Sequence, residues 1–333
     1  FAPHDIIEKE LDPVARAGLL QHAAYSVPMR SHGYCADDVA RGLIVAVKGR
    51  DWLHEEPKGL GALLTTYLSF LEHAFDARTR RFRNFMSYQR QWLDEVPSED
   101  THGRALWGLG IAAAALTEPG QSAISARLFK GGLATVLGFA GLRCQAFALL
   151  GLDAYLCRFG GDSEARRVRE RLAERLFKAF TRGATDTWPW PEKQVTYASG
   201  KLPHALLVTG HALGREDMVE MALKVLEFLM DRQRAAEGHF SPIGQAGWLR
   251  RDGQRARCRL RQPRCDAGKL QFITETTHVV EHGAPAPDTS PAGSQMKHQI
   301  LLVLTCLKYT PRQATLALQT RVMRWIMRYA RPT

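Results

Sequence analysis

Apolar positions recur every third or fourth residue over most of this chain, the spacing of a helix with one buried face. "DDVARGLIVAVKGR" from Asp37 and "EDTHGRALWGLGIAAAAL" from Glu99 are two of the clearer runs. The pattern predicts helices over 12–25, 37–51, 59–76, 101–117, 121–138, 142–159, 163–182, 201–213, 215–233, 295–309 and 312–330, with another over 266–282. Alternating runs bounded by turn residues, the mark of strands, are scarce, so the fold class expected is all-α.

The links between these helices are of two kinds. "EPG" at 118–120, "GGD" at 160–162 and "GR" at 214–215 are tight, Gly-rich stops that define helical hairpins. The links at 77–100, 183–200 and 234–262 are long and rich in aromatic, basic and acidic residues, and long links usually carry function. A solenoid would repeat at fixed length with similar residues, whereas the helix starts near 37, 101, 142 and 201 are unevenly spaced. A closed ring of about six hairpins, an (α/α)6 toroid incomplete toward its C-terminus, fits better. Its inner helices would all begin on one face, and the long loops would converge there around a bowl.

The domain expected is a single one over 1–333, with an N-terminal extension at 1–16 and a divergent basic part at 250–333. With 45% apolar residues the chain can bury a sizeable core. No run of eighteen apolar residues exists to span a bilayer, and no basic-then-apolar leader opens the chain, which makes the cytoplasm the expected compartment and a membrane partner unexpected. Six scattered cysteines without a CxxC pair fit buried thiols, not a zinc cage, and no metal or cofactor is called for. The formal charge of +11 is concentrated in the tail, where fifteen Lys and Arg face five Asp and Glu from Arg250 onward. A solvated basic loop over 250–264 explains this more simply than a strip for nucleic acid, which is not an expected partner.

Four stretches sit at or before presumed inner helices. In "HGYCADDVARGL" one of Asp37 and Asp38 can cap the helix and Asp38 can pair with Arg41, which leaves the second carboxylate for chemistry. In "SEDTHGRALW" Ser98 or Asp100 can cap, but Glu99, Asp100, His102 and Arg104 cannot all be caps, and Trp107 either packs inward or offers an apolar face. "DTWPWPEKQVTYASGKLPHALL" places Trp188 and Trp190 around prolines, either as a ledge for the C–H faces of sugar rings or as a structural staple, followed by Glu192 and Tyr197. "EGHFSPIGQAGWLRR" adds His239 and Trp248, either at a binding loop or at a surface turn. Cleaving a glycosidic bond takes two carboxyl groups, ~5 Å apart for retention and roughly 6.5–9.5 Å for inversion. Asp37, Asp38, Glu99, Asp100 and Glu192 are the stock for it, while Arg41, His102 and Arg104 would position hydroxyls. No P-loop, GxGxxG, GxSxG or HExxH is present to support another chemistry.

Five ordered segments, "HGYCADDVARGL", "NFMSYQRQWLDE", "SEDTHGRALW", "WPWPEKQVTYASGKLPHALL" and "GHFSPIGQAGW", resemble a bacterial branch of six-hairpin carbohydrate-active proteins found alone or fused behind a glycosyltransferase. The likeness covers about 17–251 and implies an (α/α)6 toroid with a sugar-sized bowl. It also implies an oligosaccharide or glycoconjugate as ligand and a glycosyltransferase as partner, without fixing a reaction. The implied activity is hydrolysis or phosphorolysis of a glycosidic bond; a non-catalytic glycan-binding or accessory role is the alternative. Ala198 and Ser199 stand where the branch carries Asp-Asn, so a carboxylate and an amide are missing. "CRLRQPRCDAGKL" keeps only Gln262 and Pro263 of an FDQQP-like segment, as in a divergent tail or a shifted reading frame.

Overall fold

A computed structural model describes residues 17–25, 27–52, 59–234, 243 and 248–253. The helices expected over 266–282, 295–309 and 312–330, and His239, lie outside the described residues. Eight α-helices carry the described chain: α1 Ala36–Trp52, α2 Leu60–Ala74, α3 Glu99–Ala115, α4 Pro119–Leu133, α5 Leu142–Arg158, α6 Ser163–Gly183, α7 Lys201–Ala212 and α8 Glu216–Arg232. The strands are two-residue antiparallel pairs, β1 Ala23–Ala24 with β2 Val27–Pro28, β3 Tyr34–Cys35 with β6 Phe85–Met86, β4 Phe75–Asp76 with β5 Arg81–Phe82, and β7 Gln194–Val195 with β8 Leu249–Arg250. The class is therefore all-α. No described helix is long and apolar enough to cross a membrane.

The stops work as their chemistry dictates. Ser98 accepts from the Thr101 amide at 3.1 Å to open α3. Glu118 accepts from the amides of Gly120 and Gln121 to open α4, with Pro119 at its first position. Asp162 takes the Ala165 amide at 3.0 Å at the start of α6, and Gly214 turns the chain after α7 with φ +66°. The helix expected over 12–25 is corrected for 17–25, which forms turns and the β1–β2 pair. Its apolar spacing is overridden by tertiary pairing: Leu20 bridges Tyr34, the Gln21 amide donates to the Gly33 carbonyl at 2.9 Å, and Tyr25 takes a left-handed φ of 56°.

The chain divides into two compact units between Glu174 and Arg175, within α6. In the first, α3 lies between α1 and α5, with α2 and α4 in contact with each other and hairpinned to α1 and α3. Gly103 faces Cys144 and Gly110 faces Gly151 across α3 and α5; Gly108 faces Ala40 across α3 and α1. Both registers climb together, so the three helices run parallel and begin at the same end. That end carries the charged residues Asp37, Asp38, Glu99, Asp100 and Arg143, while Leu43, Leu106, Leu109, Leu149 and Leu152 fill the interior. In the second unit α7 and α8 form a hairpin closed at Gly210, whose Cα lies against Met218.

Candidate functional site

The start of α1 is capped from afar. Tyr34 and Cys35 pair with Met86 and Phe85, which brings Asn84 over the helix end. The Asn84 carbonyl accepts the Ala36 amide at 2.8 Å, and its side-chain oxygen accepts the Asp37 amide at 3.2 Å and the Cys35 thiol at 3.3 Å. Asn84 is held by Asp94, whose two oxygens accept the amides of Asn84 and Phe85 at 2.8 Å each. We expect Asn84→Ala to destabilise the first unit by about 1–2 kcal/mol, the usual loss for a buried cap, read as a lower urea midpoint.

With its backbone so fixed, Asp37 turns its carboxylate toward α3. Oδ2 accepts from Arg104 at 2.6 Å and lies 3.3 Å from the Arg41 guanidinium, which also pairs with Asp38. Oδ1 of Asp37 is enclosed and accepts no hydrogen bond among the described residues. Arg104 is held almost fully buried, its guanidinium 4.6 Å over the Phe147 ring of α5. Trp107, one turn along α3, stacks on the same ring at 5.9 Å with planes 7° apart. Asp37, Asp38, Arg41, Arg104 and Trp107 thus come together at the common helix end. Tyr88 adds an exposed aromatic ring, stacked on Tyr34 three residues before Asp37, with Arg30 over it.

Cys35, Asp37 and Asp38 offer donor atoms within 4.8 Å of one another. The set suits a cation poorly: burial pushes the Cys35 thiol up to about 12, it donates to Asn84, and two guanidiniums already meet the carboxylates.

Other expected site residues have structural positions. Glu99 reaches the start of α5 and accepts the amides of Ala140 and Gly141, at 3.3 and 2.7 Å, capping a helix whose own cap residue is glycine. His102 is fully buried against Phe82 and Phe139, and its Nε2 meets the Gly132 carbonyl at 3.0 Å. Because a carbonyl only accepts, Nε2 carries the proton and Nδ1 is a bare acceptor. Burial drives the His102 pKa down to about 4. It is a core histidine and presents no donor to a ligand. Asp100 is half-buried and, with Glu99, adds to the burial that pushes the Cys144 thiol up.

In the second unit Trp188 and Trp190 are buried, and each indole N–H donates to a main-chain carbonyl four residues on, Glu192 at 2.9 Å and Gln194 at 3.0 Å. They staple the 185–195 segment instead of forming an open ledge. Glu192 is half-buried, Tyr197 is exposed, and Ala198 takes a φ of 49°. Trp248 is half-buried with φ 52° and leads into β8. Sequence reasoning missed Asn84, Asp94 and Phe147. The first two lie in "NFMSYQRQWLDE", which signalled a family likeness without showing what its polar residues hold. Phe147 falls in an apolar run with nothing to single it out.

The chain matches no protein-family model, and a search of curated proteins finds no relative of it.

Proposed function

We propose that this chain is a cytoplasmic, carbohydrate-directed domain folded as an (α/α)6 toroid, acting on a glycosidic bond at the end where α1, α3 and α5 begin. The observation that carries the reading is Asp37. One carboxylate oxygen is fixed by two arginines and the other lies under side-chain cover without a donor, a deficit of about 1–3 kcal/mol that a sugar hydroxyl would relieve once that cover moves aside. Arg41 and Arg104 supply hydrogen-bond donors, and Trp107 and Tyr88 supply apolar faces for ring C–H groups. Three unpaired thiols among the described residues, Cys35, Cys144 and Cys157, fit a reducing compartment. Asp38 and Asp100 complete the carboxylate stock for cleavage in this unit, and a glycosyltransferase is the expected partner.

A specific observation favours a second reading, glycan binding without cleavage. Asp37 and Asp38 both engage guanidiniums, which suits acceptors of hydrogen bonds better than donors of a proton, and Ala198 and Ser199 remove two polar groups. The test is incubation of the full chain with an oligosaccharide panel, with and without inorganic phosphate, followed by chromatography of released sugars. Release that falls at least about a hundredfold in Asp37→Asn, with helicity retained, supports cleavage. Calorimetric binding without release selects the second reading. Neither release nor binding by the folded protein ends both.

A further inference from the structure

The second unit holds a cavity of about 410 Å³ lined by Thr185, Thr187, Trp188, Leu249 and three arginines, Arg232, Arg250 and Arg251. That volume falls within the roughly 300–1,000 Å³ of small-molecule sites. No carboxylate among the described residues lines it. The acids close by are engaged weakly or elsewhere: Asp252 stands 3.8 Å from Arg250, and Asp186 pairs with Lys224. Arg232 lies 5.3 Å over the Phe228 ring and makes no ion pair among the described residues. Three like charges around one concavity repel one another unless an anion sits among them.

The surrounding chain fixes this arrangement. β8 pairs with β7 through Arg250 opposite Gln194, and the Arg251 amide donates to the Lys193 carbonyl at 3.0 Å. Arg251 also reaches the Gly183 carbonyl at 3.4 Å and Thr185 Oγ1 at 3.5 Å, which aims its guanidinium along the cavity wall. Thr185 Oγ1 accepts from the Trp188 amide at 3.2 Å, so its own proton is left to donate. Trp188, locked by its indole bond to Glu192, and Leu249 form an apolar floor.

We propose that this cavity binds a phosphate group, free or carried on a small ester, clasped by Arg232, Arg250 and Arg251 with the Thr185 hydroxyl as a further donor. Guanidiniums meet tetrahedral oxyanions through paired N–H donors, and three of them around one anion outmatch a diffuse basic surface. The apolar floor accommodates the carbon portion of an ester. The site does not depend on the sugar reading, since binding of inorganic phosphate alone, with no sugar present, decides it.

The full chain is titrated calorimetrically with inorganic phosphate, then with glucose 1-phosphate, at fixed ionic strength. Saturable binding is expected, weakened at least about fivefold in Arg232→Gln, an exposed position whose loss leaves the fold intact, and unchanged in Arg127→Gln, which removes the same charge from the first unit. Tighter binding of the ester than of free phosphate assigns the floor to the ligand's carbon portion; equal binding assigns the site to the phosphate alone. No saturation by about 20 mM phosphate in the folded protein overturns the proposal. So does equal weakening by Arg127→Gln, or binding of polymeric DNA alone with a steep salt dependence, because each points to general charge.

Discussion

Gly110→Ala lowers the stability of the first unit by at least about 3 kcal/mol, although alanine in the middle of a helix is ordinarily worth about 1 kcal/mol more than glycine. The reason is the approach of α3 to α5. A Cβ on Gly110 would stand 2.7 Å from the Gly151 carbonyl carbon and 2.8 Å from its Cα, closer than real Cβ atoms come to backbone. Nothing there is the yielding tip of a flexible side chain. Gly151 meets the backbone of Leu106 and Trp107 in the same way, and Gly103 meets Cys144, so the helices touch backbone to backbone along their length. One methyl group must push them apart along that whole seam and open the packing around Leu106, Leu109, Leu149 and Leu152, all fully buried. Gly61→Ala is the matched control. It lies in the first turn of α2 with open space where its Cβ would stand, so there the propensity term stands alone and the protein gains up to about 1 kcal/mol. Urea unfolding followed by far-UV circular dichroism reads both. A Gly110→Ala midpoint equal to or above that of the parent removes the close approach from the account of the fold.

The same seam shows what the amino-acid pattern made legible. Periodicity and stop chemistry locate α1 to α8 to within about two residues, because amphipathic spacing and caps are local properties; the exception is the end of α4, expected at 138, where the α-helix stops at Leu133 and a 3-10 turn over Ala134–Gly138 takes over. The common end of α1, α3 and α5 was also readable, since tight hairpins return the chain to where it began. What holds that end together was not. Asn84 serves the start of α1 from 47 residues away, and Glu99 serves α5 from 42 residues away. Residues spaced as ligand groups were therefore spent on capping. Trp188 and Trp190 illustrate the same limit. Two indoles between prolines suit a stacking ledge or a staple equally well. Burial against Phe228 and Phe180, together with satisfaction of each N–H within four residues, decides for the staple. The sequence around His102 resembles a polar rim, yet helix geometry turns it into the core while Arg104, two residues on, faces Asp37.

Two desolvated groups with opposed titrations, fully buried His102 and half-buried Asp153, give the second large effect. His102, held near 4 by burial, is neutral in the folded chain, while an unfolded His takes up a proton below its ordinary value of about 6.5. The unfolded state then binds the extra proton, so the His102 contribution is intact above about 6.5 and is lost as pH falls toward 4, by on the order of 3 kcal/mol. Asp153 on α5 runs the other way. Burial raises its carboxyl to about 7, only partly countered by Arg169, so between its ordinary range and 7 the folded state holds the extra proton. Asp153 therefore costs stability as pH rises through that window, by on the order of 4 kcal/mol once it is ionised. Between pH about 4 and 6.5 the two slopes nearly cancel. Asp153→Asn removes one of them: the variant is more stable than the parent at pH 8 by roughly 2–4 kcal/mol, and the gain disappears by about pH 4. His102→Leu removes the other and loses the Gly132 bond, so the variant is the less stable at pH 7, and the gap narrows as the solution is acidified. Differences between variant and parent across pH isolate each residue, because Asp76, Glu118 and Asp217, which hold their protons more loosely than usual, titrate alike in both. Parallel stability curves for Asp153→Asn and its parent from pH 4 to 8 would show that the α5 carboxyl is solvated.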